Sequence, residues 1–91
     1  MRTTYDDANL ADHGVSRDEV DEVATGSMTI ELIFEPSERG NERTMLVGFT
    51  ATGRLLEVGI EFFHFQERMH VFHADDATKQ YEREYEARIK Q

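Results

Sequence analysis

The chain has 91 residues, with 19 acidic against 10 basic side chains, a net charge of −9 and no cysteine. At this length a single domain spanning 1–91 with a thin core is expected, and the lack of cysteine excludes disulfide frameworks and thiolate metal sites. No third of the sequence is net basic, which argues against nucleic-acid binding by the free chain, because a protein that grips phosphates places Lys and Arg against them.

In chain order, residues 4–13 read as a helix ended by Gly14, with His13 in the last turn where a cation suits the helix dipole. Ser16-Arg17-Asp18-Glu19 is a capping box that opens a second helix over 16–25. Val20, Val23 and Ala24 fall at helical spacing along it, and Gly26 stops the run. From Met28 the period becomes two. Met28, Ile30, Leu32 and Phe34 mark a strand over 28–35, followed by a loop containing Pro36 and Gly40. Met45, Val47 and Phe49 mark a strand over 44–51. Leu56, Val58, Ile60 and Phe62 form one face of a strand over 54–65, whose other face carries Glu57, Gly59 and Glu61. A fourth strand is expected over 69–74, after a turn at 66–68. Ala77, Tyr81, Tyr85 and Ile89 recur every four residues and predict a helix over 76–90.

The connections are short, so the strands should form an antiparallel meander. The class is α+β: a single antiparallel four-stranded sheet with N-terminal helices and a C-terminal helix, all on one face. Val20, Val23, Val47, Val58, Ile60, Tyr81 and Tyr85 should be buried. No segment approaches the ~20 apolar residues of a membrane span, and Met1 to Asp7 contain no apolar run of the kind a secretion signal needs. A soluble cytoplasmic protein without membrane contact is expected.

Two groups of residues invite a chemical reading. If the last hairpin turns about Glu67, His64 and His70 stand opposite each other and could supply part of a zinc site. Two ligands do not make a site, and no metal or other cofactor is assigned. Phe62, Phe63, Phe65 and Phe72 could stack bases, but Glu57 and Glu61 lead into them and only Arg68 is nearby. Core packing accounts for them better.

Three stretches, in order, resemble the BrnT family, the ribonuclease toxins of bacterial type II toxin–antitoxin pairs. "NLADHGVSRDEV" is similar to that family's Asn-x-x-Lys-His-Gly-Val-Ser before an acidic helix start, matching at Asn9, His13, Gly14, Val15 and Ser16. "NERTMLVGFTATGRLLEV" resembles its Glu-Arg…Gly…Gly-Arg-Leu-Leu-x-Val, matching at Glu42, Arg43, Gly48, Gly53, Arg54, Leu55, Leu56 and Val58. "HADDATKQYEREYE" resembles Ser-Ala-Arg-Lys-Ala-Thr-Lys ending in Tyr-Glu, matching at Ala74, Ala77, Thr78, Lys79, Tyr85 and Glu86. The resemblance implies a RelE-like fold, a ribonuclease activity, and a BrnA-type antitoxin, itself a DNA-binding protein, as partner.

The departures share one sign. Asp12 stands where the family has Lys, His70 falls in a strand where the family carries Arg, and Asp75 and Asp76 replace a basic pair. Metal-free RNA cleavage needs cations for the phosphates and a general base and acid. One reading is therefore a BrnT-like protein whose ribonuclease site is degenerate at Asp12, Asp75 and Asp76. It would act by binding a protein, either a BrnA-type antitoxin or another basic partner. The alternative is an active ribonuclease toxin, with His70 or His73 as base and acid while Arg43, Arg54 and Arg68 hold phosphate. The two aspartates also have a purely structural use, since either could cap the last helix.

Overall fold

The computed structural model describes residues 1–90. In chain order it contains β1 (Arg2–Tyr5), α1 (Asp7–Asp12), α2 (Arg17–Ala24), β2 (Ile30–Phe34), β3 (Arg43–Phe49), β4 (Leu55–Phe63), a single 3-10 turn (His64–Gln66), β5 (Arg68–Asp76) and α3 (Lys79–Ile89). The α+β class holds, but the sheet is five-stranded and mixed, in the order β1-β5-β4-β3-β2.

The extra strand lies where a helix over 4–13 was expected. Asp6 is the N-cap of α1 and accepts from the backbone of Asn9, so the helix cannot run back through it. The residues before it, Arg2-Thr3-Thr4-Tyr5, favour extended backbone and pair parallel to β5, with Arg2 beside Arg68 and Tyr5 beside Val71. The other four strands form the predicted antiparallel meander.

The helices also lie on both faces rather than one. Leu10, Val15, Val20 and Val23 of the α1–α2 segment cover Leu56, Val58, Ile60, Val71 and Ala74. On the opposite face Tyr85 of α3 closes over Met45 and Val47, with Tyr81, Ala77 and Leu55 at the margin. The reason is in β3, where Met45 and Val47 point one way and Leu46 the other. A strand apolar on both sides needs cover on both. All the expected core residues are buried except Tyr81, which is half-buried.

Two local devices aim the parts that matter for function. The capping box of α2 is complete, with Ser16 accepting from Glu19 and the Glu19 carboxylate accepting from Ser16. The turn joining β3 to β4 is closed by Gly53 N–H donating to the Thr50 carbonyl at 3.0 Å, and Gly53 sits at φ +87°, where other residues are strained. Buried Thr50 also accepts from the Arg54 backbone, which fixes where Arg54 leaves the turn.

Helix α3 starts at Lys79 with Thr78 as N-cap, so neither Asp75 nor Asp76 caps it. Both belong to β5, registered with Glu57 and Leu56. In the last hairpin, Phe63 pairs with Arg68 and His70 stands opposite Glu61. His64 lies in the turn, so the His64/His70 pair does not form. The phenylalanines do not form one cluster either: Phe65 is fully exposed, Phe62 edges the core, and Phe72 stacks on Phe34. No helix among the described residues is long and apolar enough to cross a membrane.

Candidate functional site

Strand β1 ends at Tyr5, level with Val71, so beyond it β5 has no strand on that side and only β4 on the other. Helix α1 fills that gap with side chains. Asn9 and His13 are four residues apart and project from one helix face. The Asn9 side-chain oxygen accepts from the Ala74 N–H at 3.1 Å, and His13 Nδ1 lies 3.1 Å from the Ala74 carbonyl oxygen. A carbonyl only accepts, so Nδ1 carries the hydrogen and Nε2 is left facing Asp75 Oδ2 at 3.6 Å. The Asn-x-x-x-His spacing therefore completes a sheet edge.

Arg54 binds the same corner together. Its Nε donates to Asp76 Oδ1 at 2.7 Å, Nη1 to the Gly14 carbonyl at 2.7 Å and more weakly to Glu19 Oε2 at 3.5 Å, and Nη2 to the His13 carbonyl at 3.1 Å. Helix α1 has no basic residue in its own last turn, and Arg54 supplies that charge from the sheet. The Arg54 hydrogen bond holds Asp76 below the usual carboxylate range. Glu19 is also held low, first by the Ser16 backbone and then by Arg54 against the effect of burial. Asp76 in turn raises the guanidinium, which stays cationic.

On the other side of the β5 edge sit two imidazoles and a buried carboxylate. His73 Nε2 is 3.0 Å from Glu57 Oε2, and the other Glu57 oxygen accepts the Thr78 N–H at 2.7 Å. Glu57 is 5% exposed. The His13 and His73 rings meet edge to face at 5.5 Å. An oriented imidazole on a carboxylate is a usable general base, and a second imidazole beside it could act as acid. The arginine of this corner, Arg54, is already committed to carboxylates and carbonyls.

The remaining candidates lie elsewhere. His70 Nδ1 bonds Thr4 Oγ1 at 2.7 Å, and Arg68 donates to the same hydroxyl at 2.9 Å while lying over Phe63. Arg43 donates to the Glu35 and Pro36 carbonyls and lies over Phe34 and Phe72. Asp12 is exposed at the end of α1, with no hydrogen bond or ion pair to another side chain among the described residues. So Arg54 meets Asp76, and His73 comes near Asp75 through His13; Arg43, His70 and Asp12 do not join them.

Sequence reasoning gave no site role to Glu57, Glu61 or Arg39 and placed Asn9 only within the family match. Glu61 is 4% exposed and accepts from Arg39 at 2.8 Å and Asn41 at 3.0 Å. Burial pushes its carboxyl up, but these donors outweigh it and leave it low. The available signal was two glutamates in the longest apolar strand: once that strand is central, both must be satisfied internally.

No protein-family model matches the chain, and no curated protein matches it.

Proposed function

We propose that this chain is a BrnT-like protein whose ribonuclease site is neutralised from within, and that it acts by binding a protein partner. The engagement of every Arg54 nitrogen carries this reading. All three of its nitrogens already donate, to two carboxylates and two carbonyls. A phosphate arriving at Arg54 would meet the Asp76 carboxylate already on its Nε, with Asp75 next in the strand. One unit charge at roughly 5 Å costs about 3 kcal/mol at a surface-like dielectric, and the global charge of −9 adds to it. A BrnA-type antitoxin is the partner the resemblance implies, and another basic protein would satisfy the same electrostatics.

Purified protein incubated with a long RNA from pH 6 to 8 should give no cleavage above background, and single-stranded RNA should not bind at moderate salt. Robust cleavage lost on His73→Ala or Arg54→Ala would overturn the proposal. That outcome would favour the second reading, an active ribonuclease, for which the Glu57–His73 pair is the supporting observation.

A further inference from the structure

We propose that the groove between the C-terminal half of α3 and the β3–β4 turn is a docking site for a basic amphipathic segment of a partner protein. The inference rests on the protein-binding reading above and gives it a surface.

Phe49 is the last residue of β3 and packs edge to face on Tyr85 at 5.4 Å, yet it is 49% exposed. Around it lies a hollow of about 380 Å³ floored by Phe49, Leu55, Tyr85 and Ile89. A second hollow of about 300 Å³ continues from Phe49 and Tyr85 towards Met28. Met28, Phe49 and Ile89 are all more than a third exposed. The other large apolar side chains exposed to that degree, Met1, Ile33 and Phe65, do not line these hollows. Single exposed apolar residues are ordinary; three grouped on one concave surface mark a contact site.

The rim selects the occupant. Glu82 and Glu86 lie one turn apart along the groove, opposed by Lys90 alone. An apolar floor of Phe49, Leu55, Tyr85 and Ile89 suits apolar side chains at helical spacing, and carboxylates beside it favour Lys or Arg on their flanks. The whole-molecule field then steers such a segment in. RNA is repelled by the same carboxylates. A second copy in a two-fold contact would bring a rim of the same net negative charge.

The test is fluorescence anisotropy with a labelled Leu/Lys amphipathic peptide of about four helical turns, set against a Leu/Glu peptide of the same pattern. The Leu/Lys peptide should bind and the Leu/Glu peptide should not. Phe49→Asp and Ile89→Asp should each weaken binding about tenfold or more, while Ile33→Asp, in β2 beside Thr44 near the opposite end of β3 from Phe49, should leave it unchanged. Glu82→Gln with Glu86→Gln should weaken it several-fold at low salt and less at high salt. Ile89→Asp guards against misfolding of the Phe49 variant, because Ile89 lies at the exposed end of α3. Absence of binding, or equal binding by parent and both groove variants, would overturn the inference. So would concentration-dependent dimerisation abolished by Phe49→Asp, which would give the groove to a second copy. The RNA assay on the parent protein is independent: cleavage there defeats the protein-binding reading, whereas loss of the groove alone leaves that reading standing.

Discussion

Replacing Arg54 by alanine separates a structural clamp from a phosphate ligand. The side chain is mostly buried and joins the start of β4 to the end of α1, to α2 and to the end of β5. Its bridge to Asp76 is largely solvated on the carboxylate side and contributes at most about 1 kcal/mol. The charge-assisted bonds to the His13 carbonyl, part-buried, and to the Gly14 carbonyl, exposed, contribute about 1 kcal/mol each, and losing them leaves those two carbonyls without a side-chain donor. The expected loss is about 2–3 kcal/mol, a fall in Tm of roughly 10 °C or more for a domain of this size. Arg54→Lys should recover only part of it, because one ammonium cannot serve acceptors spread around a planar fork.

Urea denaturation of the parent, Arg54→Ala, Asp76→Ala and the double variant measures these terms. The cycle should assign no more than about 1 kcal/mol to the Arg54–Asp76 pair and the rest to the carbonyls. An Arg54→Ala cost under about 0.5 kcal/mol, the usual range for an uncommitted surface residue, would refute the clamp. If the same variant also lost measurable RNA binding, Arg54 would be a ligand and not a clamp.

The remaining predictions concern pH, packing and metal. Asp76, Glu19 and Glu61 all have lowered carboxyls in the fold, so their stabilisation is complete above the unfolded-state range near pH 4 and lost as pH falls through the folded values. Acid melts followed by circular dichroism should show this loss below about pH 4, and Arg54→Ala should flatten it. Gly59→Ala would place a Cβ 2.6 Å from Phe72 Cζ and push that ring off Phe34, costing about 1–3 kcal/mol in a urea melt. Near-stoichiometric zinc should leave Tm unchanged, because His64 sits near Glu42 while His70 is held by Thr4; a rise of several degrees would reinstate a shared site.

The elements that were legible are those whose periodicity is backed by a terminus signal. The capping box at Ser16 and the glycine at 53 mark their turns in the sequence, and α2 and β2–β5 fall within a few residues of expectation. β1 was hidden because its four residues are too few to show a period, and the helical pattern that follows absorbs two of them. Its parallel pairing to β5 depends on residues more than sixty positions away. No local rule reaches that far. The two-faced arrangement of helices was nearer the surface: Met45, Leu46 and Val47 in succession already indicate a strand buried on both sides.

The site was legible in its residues and not in their relations. Arg54 entered as a possible phosphate ligand and Asp76 as an inverted charge or a helix cap, which treats the two as independent. Their hydrogen bond makes them one feature, because the carboxylate that would repel a phosphate also occupies the guanidinium that would bind it. Removing Asp76 alone should therefore do two things at once. Asp76→Asn keeps the shape, releases part of Arg54 and lowers the local negative charge, so RNA affinity should rise while stability falls by up to about 1 kcal/mol. Asp12→Asn changes the net charge equally at an exposed residue of α1 that is not among the groups Arg54 binds. If the two variants gain RNA affinity equally, only the global field matters. A larger gain for Asp76→Asn, seen at moderate salt where long-range fields are screened, would locate the neutralised cation at Arg54.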